Sequence, residues 1–289
     1  MLHQFFSQEK AIEVLFLIAF PYLLFTAVAF CAFYLWQSRK YWYMKIQRYW
    51  PKKRHIAREI MLSLLTMVIF IAVILLINWA GNRGYTRVYP KISDKGYVYF
   101  VFSIILMLVV QDTYFYWIHR FMHWKPVFKL VHKAHHLSTN PTPFAAYAFH
   151  PAEALLQIAI IPIIAFTIPY HLFAISTFSI CSLLVNILVS HMGFEFLPKG
   201  FTSHKYFKWL NPSTHHNMHH SLPKCNYSLY LNIWDRLMKT NHPDYEETFE
   251  RVVNERDEAR LAKTKETGIA KKNQQTKIGA PGMPYRAKL

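Results

Sequence analysis

Cysteine is scarce in this chain, and so are acids. The three cysteines, Cys31, Cys181 and Cys225, are odd in number and far apart, so they define no disulfide framework. No CxxC pair occurs, which removes the zinc-finger and thioredoxin readings. Only 16 acids face 33 lysines and arginines, and the formal net charge is +17. A basic balance can signal nucleic acid, but the chain is 53% hydrophobic and has no nucleic-acid motif, so no nucleic-acid partner is expected. Basic loops beside membrane spans, drawn to anionic lipid headgroups, account for the charge. A GxGxxG dinucleotide loop is also missing. No signal peptide is expected, because the apolar stretch at residues 11–36 is longer than an h-region and follows no basic leader.

What the chain has is long apolar runs, near residues 11–36, 60–80, 97–118 and 152–190. A hydrocarbon core of about 30 Å needs about 20 apolar residues in a helix. The first three runs each predict one span, the first with a kink at Pro21. The fourth is long enough to cross and return, with its turn near Pro162, Pro169 and Tyr170-His171; a re-entrant pair is the alternative. The expected fold is an all-α integral membrane protein of four to five transmembrane helices, the fourth region being a helical hairpin. It would sit in a bacterial inner membrane or endoplasmic reticulum.

Loop charge orients the spans. Arg39, Lys40, Lys45, Arg48, Lys52, Lys53, Arg54 and Arg58 lie between the first two, with no acid before Glu59. The positive-inside rule puts that loop in the cytoplasm. His119 then emerges on the cytoplasmic side, as does everything from His191 onward. Three regions follow: an N-terminal transmembrane region at 1–96, a catalytic region at 97–243, and a charged tail at 244–289. In the tail, 245–265 reads as an exposed helix and 268–289 as disordered and basic.

Of 16 histidines, nine form a pattern. His119 and His123 make HxxxH; His132, His135 and His136 make HxxHH; His216, His219 and His220 repeat HxxHH after His215; His191 stands at the end of the hairpin. Positions i, i+3 and i+4 share a helix face, so each cluster is expected to point its imidazoles one way. Neutral imidazole suits iron, zinc, copper and nickel. Eight or nine ligands exceed what one ion takes, so two metals are the natural count, held in a cytosolic helical cap. Packing these rings together without metal would leave buried polar groups or repelling charges.

The remaining histidines carry less. His3, His55, His171, His204 and His242 lack ligand spacing and read as ordinary surface or core residues. His215 reads as a partner of the ligands and not as one of them. His150, before Pro151, is a candidate catalytic or substrate-side group, or a satisfied histidine. Asp112, two turns before His119, is a candidate catalytic acid or an acceptor for a ligating imidazole; its alternative is a polar residue facing interfacial water. Asp235 invites the same reading, with a surface pair to Arg236 as the alternative.

Residues 112–136, DTYFYWIHRFMHWKPVFKLVHKAHH, resemble the first two histidine boxes of the fatty acid hydroxylase and sterol desaturase superfamily. Residues 214–240, THHNMHHSLPKCNYSLYLNIWDRLMKT, are similar to its last box, and 141–157 to the C5 sterol desaturase branch. Only residues 124–131 separate His123 from His132; acyl-CoA desaturases space these boxes further apart. The family's Asn-Tyr-Gly is Asn226-Tyr227-Ser228 here, and Lys239 replaces a usual Gly.

The resemblance implies a non-haem di-iron centre of two Fe ions, held by the nine histidines His119, His123, His132, His135, His136, His191, His216, His219 and His220. The reaction implied is O2-dependent hydroxylation or desaturation of a sterol or long-chain lipid. Electrons would come from a separate cytochrome b5 or ferredoxin with an NAD(P)H reductase, since His150-Pro151-Ala152 is not a cytochrome b5 signature. The loop 39–58 is a candidate dock for an acidic carrier, although lipid-headgroup contact and the setting of topology explain it better. A membrane metal transporter or sensor using the same histidines is the alternative, and needs ionisable residues along the span centres.

Overall fold

A bilayer leaves exposed backbone groups without partners, so a run of apolar residues crosses it as a helix. The computed structural model describes residues 8–278; His3 and the tail residues 279–289 lie outside them. Helix α1 is Gln8–Phe30 and runs on as a π-helical turn, Cys31–Trp36. α2 is Lys53–Asn82 and α3 is Gly96–Met122. The short α4, Lys133–His136, follows a π-helical turn at Phe128–His132. α5 is Pro151–Ile158, α6 is Ile160–Thr167, and α7, Leu172–Val185, continues through a π-helical turn at Asn186–Ser190. α8 is Ser213–Ser221, α9 is Ile233–Leu237, and α10 is Tyr245–Ile278. Among the described residues there is no β-strand, only isolated bridges such as Leu210 with Leu231.

Among the described residues, four stretches are long and apolar enough to span a bilayer: Ile18–Trp36, Lys53–Asn82, Gly96–Met122 and Leu172–Ser190. Their outward faces carry exposed Val68, Val98, Val101 and Ile105, a surface that suits lipid and not water. The expected hairpin forms, but its first arm, Pro151–Thr167, is too short to count as a span. Pro169 and Tyr170-His171 sit in the turn, as expected. Pro162 instead lies in the first turn of α6, where its missing N–H has no helical partner to lose.

Two apolar cores hold the spans together. Tyr22, Met67, Phe70, Phe149 and Ile187 join α1, α2 and the end of α7. Met107, Ile164 and Phe178 join α3, α6 and α7. α10 is less exposed than its charge suggests. Phe249 and Val253 bury against Phe201, and Arg256 Nη1 donates to the carbonyls of Glu195 and Leu197 at 3.2 and 2.7 Å. The helix also continues past Gly268 to Ile278, where disorder was expected; its lysines, glutamines and alanine are good helix formers.

One member of the basic loop is not at the surface. Lys45 is buried; its Nζ donates to Asn140 Oδ1 at 2.9 Å and faces the Tyr34 and Phe194 rings. Burial brings its pKa down to about 7. Lys45 therefore ties the first loop to the segment before α5 and does not touch headgroups.

Candidate metal centre

The ligands begin where the spans end. α3 carries His119 in its last turn and His123 as its C-cap. The turn at Phe128–His132 and α4 carry His132, His135 and His136. His191 follows the turn closing α7, its N–H bonded to the Asn186 carbonyl at 3.1 Å. α8 carries His216, His219 and His220, all buried.

All nine converge, in two groups. His119, His123, His132, His136 and His219 form one, and His135, His191, His216 and His220 the other; the ligand atoms within each lie within 4.8 Å of one another. In the first, Nε2 of His132 is 3.0 Å from that of His119 and 3.2 Å from that of His136, and His123 and His219 are 3.1 Å apart. In the second, His191, His216 and His220 form a triangle of 3.2, 3.3 and 3.2 Å. Two nitrogens about 2.1 Å from a shared ion sit about 3.0–3.4 Å apart in octahedral or tetrahedral geometry. The spacings fit a metal in each group. The groups abut, with His136 and His220 ring centres 5.2 Å apart.

The HxxHH triplets do not point one way, as the spacing alone suggested. His132 and His136 join the first group while His135 joins the second; His216 and His220 join the second while His219 joins the first. At 100° per residue, i+4 lies about 40° to one side of i and i+3 about 60° to the other. Each box therefore places i and i+4 in one group and i+3 in the neighbouring one. The exchange binds the two groups into one centre.

Hydrogen bonds on the other ring nitrogen fix the tautomer. The Nδ1 atoms of His119, His191 and His219 lie 2.7, 3.0 and 2.6 Å from the carbonyls of Tyr227, Asn186 and Cys225. A carbonyl only accepts, so Nδ1 carries the proton and Nε2 keeps its lone pair for a metal. His132 Nδ1 donates to Glu153 Oε1 at 2.7 Å, with both side chains buried.

Burial, then neighbouring histidines, holds His132, His135, His136, His216, His219 and His220 well below the usual imidazole pKa. His123 moves the same way, and burial brings His191 down to about 4. A folded pKa below the unfolded value of about 6.5 means that the unfolded chain takes up protons first as pH falls. Each such group then costs up to about 1.4 kcal/mol per pH unit below that value. The melting point of the metal-free chain should therefore drop steeply as pH falls from about 6.5 to 5. Thermal melts across pH check this, and a flat profile would contradict it.

The other candidates lie outside the two groups. Asp112 is buried, but its Oδ1 accepts the backbone N–H groups of Tyr230 and Leu231 at 2.9 and 3.1 Å, not an imidazole. It staples the segment after the last box to α3. His150 caps α5, its Nδ1 accepting the Ala152 N–H at 3.3 Å. Asp235 makes no surface pair. It is buried, accepts the N–H groups of Tyr227 and Ser228 at 3.0 and 2.7 Å and the Thr240 hydroxyl, and lies 3.2 Å from His215 Nε2. These bonds shape the loop whose Tyr227 carbonyl holds His119, and they keep Asp235 well ionised against its burial. Lys239 has φ 54°, a left-handed conformation that glycine adopts more easily. Glu153 was not singled out from the sequence. The signal was available: an acid in the first turn of an apolar helix, where an unpaired charge is costly.

Eight buried imidazoles and the half-buried His123, at the ends of apolar, span-length helices, define a helical membrane protein with a paired site able to hold metal. The fatty acid hydroxylase family model matches residues 104–240. The chain is similar to lathosterol oxidase of Rattus norvegicus, 32% identical over 190 residues, which is 64% of this chain and 60% of that protein. It is similar to lathosterol oxidase of Homo sapiens, 33% identical over 181 residues, 61% of this chain and 55% of that protein. A Delta(7)-sterol 5(6)-desaturase of Aspergillus fumigatus is 31% identical over 231 residues, 72% of this chain and 71% of that protein. The chain belongs to the fatty acid hydroxylase and sterol desaturase family. The matches span only 60% and 55% of the rat and human proteins. No solved structure matches it.

Proposed function

We propose that this chain is a membrane di-iron oxygenase that hydroxylates or desaturates a sterol or long-chain lipid. The observation that carries the reading is the two sets of converging imidazole nitrogens, with His119, His132, His191 and His219 each turned inward by a proton held on Nδ1. The nine histidines would hold two irons, which when bound supply the reduction of O2 and the removal of hydrogen from an unactivated C–H bond.

The chain's own groups do the rest. Carbonyls of Tyr227, Cys225 and Asn186, with Glu153, orient the imidazoles. Phe149 lies against His135, with ring centres 5.2 Å apart, and Tyr147 stacks on Tyr22 at 4.9 Å and meets Phe70 at 5.3 Å. This aromatic wall continues into the core between α1 and α2. It excludes water from the His135 side of the site. Asp112 and His150 serve here by positioning backbone, not by touching a reacting atom.

In this reading residues 97–243 form the catalytic region, and the positive-inside rule, applied to the basic first loop, supports a cytoplasmic site. O2 and electrons from a cytochrome b5 or ferredoxin with its NAD(P)H reductase are its co-reactants.

Lipid profiling of a host with and without expression tests the proposal. Expression of the native chain should alter at least one lipid, and His135→Ala should alter none. The same change with both would rule out the metal role.

A further inference from the structure

The loop from Gly200 to Leu210 and helix α9 expose large apolar side chains that the catalytic reading does not use. Tyr206 and Leu237 are 69% and 64% exposed, and Trp209 and Leu210 are exposed beside them. The exposure is not slack. Arg236 donates from Nε to the Lys208 carbonyl and from Nη2 to the Thr202 carbonyl, each at 3.1 Å. Phe201 and Phe207 stack at 5.5 Å, and Asn232 N–H bonds the Trp209 carbonyl at 2.8 Å. A braced loop still turns its rings outward.

Its level along the spans is fixed by α3. Leu231, bridged to Leu210, bonds Asp112, and Trp234 Nε1 donates to Thr113 Oγ1 at 3.1 Å while packing on Trp117. Asp112 and Trp117 stand about 24 and 32 Å along the helix from Gly96, at about 1.5 Å per residue. A hydrocarbon core of about 30 Å ends between them. The patch therefore sits at the edge of the hydrocarbon, on the side of the imidazoles.

Its own segment is basic. From Phe196 to Trp234 the sequence contains no acid, and Asp235 is buried; the acids that reach it come from α10, where Glu246 pairs with Arg236 at 2.9 Å and Glu250 accepts the Gly200 N–H at 2.8 Å. Lys205 and Lys208 place their ammonium groups 5.4 and 5.2 Å from the ring centres of Tyr206 and Trp209. Aromatic rings with lysines at the hydrocarbon edge are the chemistry of an interfacial anchor on an anionic bilayer.

We infer that residues 205–210 and α9 form a membrane-lying platform whose rings enter the headgroup region and whose Lys205 and Lys208 hold anionic lipid headgroups. The inference rests on the spans and this surface, not on the redox chemistry proposed above. The platform would tether the loops that carry the last histidine box to the leaflet from which an apolar substrate arrives.

The test uses the full chain in nanodiscs of phosphatidylcholine with or without phosphatidylserine. Cys31 and Cys181 are replaced by serine, and a fluorophore is attached through Leu237→Cys or, beyond the imidazoles, Lys224→Cys. Brominated lipid should quench the label at 237 and not at 224, more strongly with phosphatidylserine present. Lys205→Glu with Lys208→Glu should weaken engagement by roughly fivefold or more per lysine in anionic discs only. On the unsubstituted chain, hydroxyl-radical oxidation of Tyr206 and Trp209 should fall in anionic relative to neutral discs. Equal behaviour in both bilayers, absence of quenching, or a response only to an added acidic protein would overturn the inference.

Discussion

Replacing His191 with alanine is expected to remove about one of two bound irons and to lower turnover at least about 100-fold. Loss of a partner behind a ligand typically costs about 10–100-fold, and His191 is itself placed as a ligand. Its Nε2 lies 3.2 and 3.3 Å from those of His216 and His220, so it closes the second group. Only His135 would remain with those two. The first group keeps its five imidazoles, so its metal should stay. His55→Ala, at a histidine outside both groups, should change neither iron content nor turnover. Iron analysis beside a product assay checks both variants, and two irons retained in His191→Ala would contradict the assignment.

Glu153→Ala should weaken iron binding in the first group by about 10–100-fold, although Glu153 belongs to neither group. Its Oε1 takes the proton of His132 Nδ1. Without that acceptor the ring is free to turn or to move its proton to Nε2, where the lone pair is needed. Glu153→Gln keeps a carbonyl oxygen in reach, so it should retain affinity to within several-fold. The second group should be indifferent, because His191 is held by the Asn186 carbonyl. Chelator competition on the three proteins separates the cases; equal losses in the alanine and glutamine variants would mean that orientation is not what Glu153 supplies.

These two predictions mark what could be read from the sequence and what could not. His191 was within reach because its chemistry is in the residue type and it falls at the end of an apolar run. The nine converging histidines and the apolar runs that become span-length helices were legible for the same reason: composition and spacing survive without coordinates. The sharing of each HxxHH box between two groups was not. A helix face is a wide stripe, and whether His135 and His136 serve one metal or two depends on what stands opposite. Glu153 lies far from His132 in sequence, and only the fold brings them together. Asp112 and Asp235 were noticed as polar residues out of place, but their work is to hold backbone N–H groups of a loop after the last box. Lys45 was counted with its loop's charges, while its burial depends on Asn140 and two rings from distant segments. The short first arm of the hairpin arises at Ala159, where α5 ends and α6 begins; Pro162, in the first turn of α6, accompanies that break and does not make the hairpin's turn.

Everything functional above depends on two adjacent ion sites in one chain. The direct measurement is the iron content of the purified native chain, alongside His132→Ala and His216→Ala. The account predicts about two irons in the native chain and about one in each variant, with a different group emptied in each. A native chain that binds no iron, or variants that both keep two, would contradict it.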